Sequence, residues 1–234
     1  MTSSGIILYE LAGADSELRF SPHCWKARMA LAHKGLDAER VPWRFADKEK
    51  IAFSGQGLVP VLDHDGASVS DSWRIALHLE ERFPDRPSLF GGQGAIALTR
   101  FVNGWADSVL LPAVARIILV DVHDRVHEKD REYFRSSREK RFGMPLEAVV
   151  ADPPARLADL RKALTPLRHV LRERDFIAGA EPAYADYCVF GMFMWARCIS
   201  PIDPVGADDP IHSWRERLLD AFGGLARSAP SVQR

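Results

Sequence analysis

The chain has 234 residues, of which 47% are hydrophobic and 27% charged, so it can bury one large core or two modest ones. Its 31 Lys and Arg residues balance 32 Asp and Glu residues, which leaves a formal net charge of −1. Such a balance excludes a global electrostatic attraction to polyanions or anionic lipid. It therefore argues against nucleic-acid binding and against a membrane-surface function.

Apolar runs and cysteine usage bear on the cellular location. The first residues carry no basic charge, and the later apolar runs at 117–120 and 187–195 are well short of the roughly 20 residues that span a bilayer. The three cysteines, Cys24, Cys188 and Cys198, are an odd number without metal-ligand spacing. We expect a cytoplasmic protein without a structural disulfide or a metal site.

The N-terminal third begins with a predicted strand, helix and strand. Residues 6–11 are strand-like, and Ser21-Pro22 marks a helix start, because Ser is a favoured N-cap and Pro a favoured first helical residue. Gly35 ends this helix, and a second strand follows at 39–43. The succession predicts a parallel strand pair joined by a right-handed crossover.

A hairpin and a second helix follow. Residues 60–63 and 67–69 flank His64-Asp65-Gly66, and an Asp-Gly turn between strand-forming runs is a hairpin signal. Asp71 or Ser72 then caps a helix that ends near Phe83-Pro84. The order is therefore βαβ followed by ββα.

The remainder of the chain is predicted to be helical. A Pro- and Gly-rich stretch precedes helical patterns over about 95–125, 154–174 and 184–198, and no alternating strand pattern appears there. We predict an α/β domain over residues 1–85, a linker over 86–94, and an all-helical domain over 95–234.

This layout, an α/β domain joined to a helical one, resembles the cytosolic glutathione transferase fold, whose N-terminal domain is thioredoxin-like with the order βαβαββα. Three spaced motifs carry the resemblance: Ser21-Pro22, Val59-Pro60 and Asp71-Ser72. The resemblance implies glutathione as co-substrate, a small hydrophobic and aromatic second substrate, and a homodimer.

Each motif has a physical role in that resemblance. A cis Val59-Pro60 bond exposes the Val59 backbone to the cysteinyl part of an extended tripeptide. Asp71 would meet the γ-glutamyl ammonium, while Ser72 and helix N–H groups meet its carboxylate. Ser21 and the positive end of the first helix would favour the thiolate of glutathione over its thiol, whose ordinary pKa is about 8.5. Ser21 is then a thiolate stabiliser and not a nucleophile.

Within the family, residues 20–28 and the loop before them resemble bacterial β-etherases, which cleave aryl ethers with glutathione. The same stretch resembles maleylacetoacetate isomerases, but those proteins have Ser and Cys where this chain has Pro22 and His23. By fold analogy, Trp105, Val109 and Arg116 are candidates for the hydrophobic substrate site.

Three alternatives stay open at the level of sequence. Ser21 can be an N-cap without a chemical role. Cys24, in the first helical turn, can be the nucleophile of a disulfide reductase or deglutathionylase, although no second Cys completes a Cys-x-x-Cys pair. The chain can also be a binding protein that keeps the fold without catalysis, an interpretation permitted by Ala183, which lacks the capping hydroxyl common in the family at this position.

Overall fold

The computed structural model describes residues 5–233. The N-terminal part contains β1 (Ile6–Leu11), α1 (Pro22–His33), β2 (Glu39–Trp43), a 3₁₀ helix (Lys48–Ser54), β3 (Val61–His64), β4 (Ala67–Ser70) and α2 (Ser72–Arg82). The four strands form one sheet in the order β2-β1-β3-β4, with β1 parallel to β2 and antiparallel to β3. The predicted α/β fold is confirmed, with the 3₁₀ helix as the short helix between β2 and β3.

The rest of the described chain is helical. It contains α3 (Gln93–Trp105), a π-helical turn (Ala106–Leu110), α4 (Leu111–Arg125), α5 (Glu128–Phe142), α6 (Leu146–Val149), α7 (Pro153–Ala163), α8 (Thr165–Leu171), α9 (Tyr184–Ile199) and α10 (Pro210–Gly224). Helix α5 was not among the helices predicted from the sequence. Its 15 residues are mostly charged, and only Asp130 and Phe134 of them are buried, so it has little apolar periodicity. Within residues 5–233, no helix is long and apolar enough to cross a bilayer.

Helix α9 is the centre of the core, since all 16 of its residues are buried. It packs against α1, and Gly191 allows the close approach: a Cβ at this position would lie 2.4 Å from the Pro22 carbonyl oxygen. The first turn of α1 therefore rests directly on the helical part of the protein. A side chain at position 191 would push the two helices apart.

The start of α9 is held by Asp186, because Ala183 has no capping hydroxyl. The buried Asp186 carboxylate accepts hydrogen bonds from the backbone N–H groups of Ile177 (2.7 Å) and Ala183 (3.0 Å) and from Trp214 Nε1 (2.8 Å). A capping box consists of two hydrogen bonds, and the one from the Ala183 N–H to the Asp186 carboxylate is present here. The carboxylate also ties α10 to the start of α9.

Candidate functional site

A cavity of about 590 Å³ lies between the start of α1 and helices α4 and α5. Ser21, Pro22 and His23, from the start of α1, line it together with Leu58 and Val59, which precede β3. Much of the remaining lining is aromatic or aliphatic, and its aromatic residues are Phe20, Trp43, Phe45, Phe134, Phe142 and Trp195. The cavity joins a polar helix start to an apolar chamber, as a site for a polar and an apolar reactant requires.

Ser21 is the N-cap of α1. Its Oγ accepts a hydrogen bond from the Cys24 N–H at 3.3 Å, and its backbone is extended (φ −60°, ψ 127°). This bond uses an oxygen lone pair, so the hydroxyl proton can be donated either to the Cys24 sulfur, which is within hydrogen-bond reach, or to a ligand in the cavity. Helix α1 has no acidic residue in its first turn, so the positive end of its dipole is not neutralised there. Ser21 thus lies both at the positive end of α1 and in the wall of the cavity.

Cys24 lies in the same helical turn but is buried near β1. It is 1% exposed, and burial together with the nearby Glu10 carboxylate raises the pKa of its thiol to about 12. Cys188 and Cys198 are likewise buried. A thiol that is buried and protonated at neutral pH is a poor nucleophile, which weighs against the Cys24-dependent reductase.

The Val59-Pro60 peptide bond is cis. Val59 lines the same cavity as Ser21. The N–H of Asp71 donates to the Pro60 carbonyl at 3.3 Å, so the start of α2 lies beside this bond.

Asp71 and Ser72 occupy the N-terminus of α2. Asp71 Oδ1 accepts from the backbone N–H groups of Trp73 (3.0 Å) and Arg74 (3.1 Å), and Asp71 is exposed. Ser72 is only 2% exposed, and its carbonyl accepts from Tyr184 Oη at 2.7 Å. Neither residue lines the cavity. The Asp71 charge nevertheless acts to raise the pKa of His23, which does line it, so the start of α2 lies near the cavity.

An ionic network that sequence reasoning missed adjoins Ser21. The Lys26 ammonium, fully buried, donates to Asn103 Oδ1 (2.9 Å) and Asp107 Oδ1 (2.6 Å), and Asn103 Nδ2 donates to Asp107 Oδ2 (2.9 Å). His23 Nδ1 lies 3.7 Å from Asp107 Oδ1. Desolvation and the Lys26 charge lower the pKa of His23 to about 4, so its imidazole is neutral at neutral pH. No local sequence signal pairs residues 81 positions apart.

The three predicted substrate-site residues separate in space. Arg116 lines the cavity, whereas Trp105 and Val109 are not among its lining residues, and Val109 is 39% exposed. The expectation rested mainly on fold analogy, and α-helical spacing was its secondary argument. The π-helical turn over Ala106–Leu110 breaks that spacing, because it changes the residues per turn. In the same turn, Asp107 faces the cavity instead.

The described residues contain no group of three or more His, Cys, Asp or Glu side chains arranged to hold a metal ion.

Comparison with known proteins identifies the family. The family models for the glutathione S-transferase N-terminal and C-terminal domains match residues 16–87 and 97–220, respectively. The glutathione S-transferase-like protein ustS of Aspergillus flavus is 27% identical in an alignment of 240 positions, gaps included, which covers 89% of this chain and 82% of ustS.

Solved structures agree in fold. A glutathione S-transferase of Ceriporiopsis subvermispora, CsGST63524, in complex with glutathione, superposes with a TM-score of 0.80 at 21% identity, over 96% of this chain and 98% of that one. The β-etherase LigF of Sphingobium sp. strain SYK-6 gives a TM-score of 0.66 at 19% identity, over 92% of this chain and 95% of that one. These likenesses show a common fold. Since the C-terminal family model alone matches more than half of the sequence, the chain belongs to the glutathione S-transferase family.

Proposed function

We propose that this protein is a serine-type glutathione transferase that joins the glutathione sulfur to an apolar aromatic electrophile. The observation that carries the proposal is the position of Ser21, at the positive end of α1 and in the wall of an aromatic cavity. The thiolate attacks an electrophilic carbon, a carbon–sulfur bond forms, and the leaving group departs with its electron pair. Ser21 and the helix dipole stabilise the negative charge of the sulfur before the attack.

The binding of glutathione is proposed to use the N-terminal part of the chain. The Val59 backbone pairs with the cysteinyl unit, and the exposed Asp71 carboxylate meets the γ-glutamyl ammonium. Ser72 is nearly buried, so its contribution is assigned to its backbone N–H at the start of α2, where an anion is favoured. The side-chain role predicted for Ser72 is correspondingly reduced.

Cleavage of β-aryl ethers is the finer form of the proposal. In it, the thiolate attacks the carbon that bears the aryloxy group, the carbon–oxygen bond breaks, and the phenolate leaves and takes a proton from solvent. The motif resemblance around Ser21 and the aromatic walls of the cavity support this form. The isomerase alternative is less favoured, because Pro22 and His23 replace the Ser and Cys of that group.

The direct test is calorimetry of glutathione binding to purified protein, followed by a turnover screen. The screen offers β-aryl ethers, halonitroarenes, a maleylacetoacetate-like substrate and disulfides. Asp71→Asn keeps an acceptor for the helix cap and tolerates the φ of 78°, but removes the charge. We expect its Kd for glutathione to rise about tenfold, the loss of one charged hydrogen bond. Asp65→Asn is the matched control, since Asp65 also has positive φ (52°) and is exposed in the neighbouring hairpin.

Two results would replace the proposal. An absence of glutathione binding would indicate a non-catalytic protein that keeps the fold. A glutathione mass increase at Cys24 after exposure to oxidised glutathione, with activity lost in Cys24→Ser and kept in Ser21→Ala, would establish the reductase.

The homodimer is also a proposal, and an apolar patch on α3 supports it. Leu98 and Phe101 lie about one turn apart and are 71% and 76% exposed. Phe101→Glu is expected to shift the protein to the monomer in analytical ultracentrifugation, whereas Val170→Glu, at an exposed position on α8, should not. A mass unaffected by Phe101→Glu would remove this patch from the interface.

A further inference from the structure

Three arginines face the same cavity. Arg116 comes from α4, and Arg138 and Arg141 come from α5, where a spacing of three residues puts them on one face. The acidic residue in the cavity lining is Asp107, whose oxygens already accept from Lys26 and Asn103. The walls of the cavity therefore carry a surplus of positive charge.

Arg135, on the same helix but outside the cavity lining, has carboxylate partners. Arg135 donates to Glu139 at 3.0 Å and to Glu147 at 2.8 Å. Within residues 5–233, neither Arg116, Arg138 nor Arg141 has a carboxylate within 4.0 Å. The three arginines that line the cavity thus lack the carboxylate partners that Arg135 has.

Two of the three guanidinium groups, those of Arg116 and Arg138, lie over aromatic rings, and Arg138 also donates to Ser137 Oγ at 2.8 Å. The Arg138 Cζ lies 4.6 Å from the Phe134 ring centroid and 5.2 Å from that of Phe45, and the Arg116 Cζ lies 5.5 Å from that of Phe142. Ring faces stabilise a cation, yet they leave most of its N–H groups without an acceptor. Burial and the Arg141 charge lower the pKa of Arg138, as expected where no anion compensates the charge.

We propose that the electrophile is an aromatic carboxylate, whose acid group pairs with Arg116, Arg138 and Arg141 while its ring lies among Phe45, Phe134 and Phe142. This inference rests on the proposed function for the reacting end of the substrate. Planar guanidinium groups suit a carboxylate, because they donate two parallel hydrogen bonds to its two oxygens. An apolar chamber by itself would accept neutral arenes equally well, so the arginines set the preference.

The test compares a chlorodinitrobenzoate with its methyl ester. In both, the glutathione thiolate attacks the chlorine-bearing carbon and chloride leaves, so only the charge of the remote group differs. The variants are Arg116→Gln and Arg141→Gln, and the matched control is Lys140→Gln, an exposed cation on α5 outside the cavity lining. We expect each arginine variant to lower kcat/KM for the acid about tenfold or more relative to the ester. The control should keep the wild-type ratio.

Calorimetry with an unreactive nitrobenzoate separates this inference from the proposed function. Binding that weakens in Arg141→Gln but not in Lys140→Gln supports the inference, even in a protein that conjugates neither substrate. Conjugation of the ester with an acid-to-ester ratio unchanged in both arginine variants overturns the inference and leaves the transferase intact. An equal weakening of glutathione binding in both arginine variants also overturns it, because the arginines would then hold a carboxylate of the tripeptide.

Discussion

Replacing Ser21 by Ala and by Gly separates its two roles. Ala removes both the cap acceptor for the Cys24 N–H and the hydroxyl donor that faces the cavity. Gly also removes the hydroxyl, but it is a tolerated N-cap and costs only a few tenths of a kcal/mol, against about 1 kcal/mol for Ala. The two variants should therefore differ in stability but change the pKa of the glutathione thiol equally.

The size of the chemical effect follows from the hydrogen bond that is lost. A bond to a charged group contributes about 1.5–3 kcal/mol, and one pKa unit corresponds to about 1.4 kcal/mol. Because sulfur is a weaker acceptor than oxygen, the lower end applies, and the pKa of bound glutathione should rise by about one unit in both variants. Below that pKa, turnover at a fixed pH should fall about tenfold.

The ultraviolet absorbance of the thiolate, titrated in the presence of saturating glutathione, gives the pKa directly. Conjugation of a halonitroarene over the same pH range gives the rate, and urea unfolding gives the stability. If the Ser21→Gly variant kept both the stability and the pKa of the wild type, Ser21 would be a cap alone. An unchanged pKa in both variants would likewise refute the thiolate role.

Three further predictions concern the scaffold around the site. Burial raises the pKa of Glu10 from 4.5 to about 7, so the free energy of unfolding is highest below pH 4.5 and falls by up to about 3 kcal/mol as pH rises through this window. Glu10→Gln should therefore gain stability relative to wild type between about pH 5 and pH 8, whereas the exposed Glu39→Gln should not. Gly191→Ala should cost about 1–3 kcal/mol in urea unfolding, since its Cβ meets a carbonyl of α1, and an unchanged midpoint would contradict that contact. Asp186→Asn should lower the free energy of unfolding by about 2 kcal/mol in the same assay, because one of the two acceptor oxygens becomes an NH₂ donor that faces an N–H group. An unchanged stability would show that the start of α9 does not need the carboxylate.

The local elements of the N-terminal part follow from the sequence. Ser21-Pro22 begins α1, Asp71 caps α2, and the Asp-Gly turn joins β3 to β4 as expected. These features depend on residues within one or two turns of the chain, where propensity and capping dominate. The cis bond before Pro60, in contrast, was expected from the resemblance to the family and not from local propensity.

The substrate side of the cavity was decided by tertiary packing. Helix α5 has little apolar periodicity, so nothing local indicated that Arg138 and Arg141 would face a chamber that α1 also lines. Asp107, in the π-helical turn, lines the cavity and accepts a hydrogen bond from Lys26 in the N-terminal part of the chain. Sequence alone thus determined the family, the secondary structure near Ser21 and the place of Ser21 at the start of α1. Which charges surround the second substrate depends on contacts between distant parts of the chain, such as the 81 positions that separate Lys26 from Asp107, and only the folded chain brings them together.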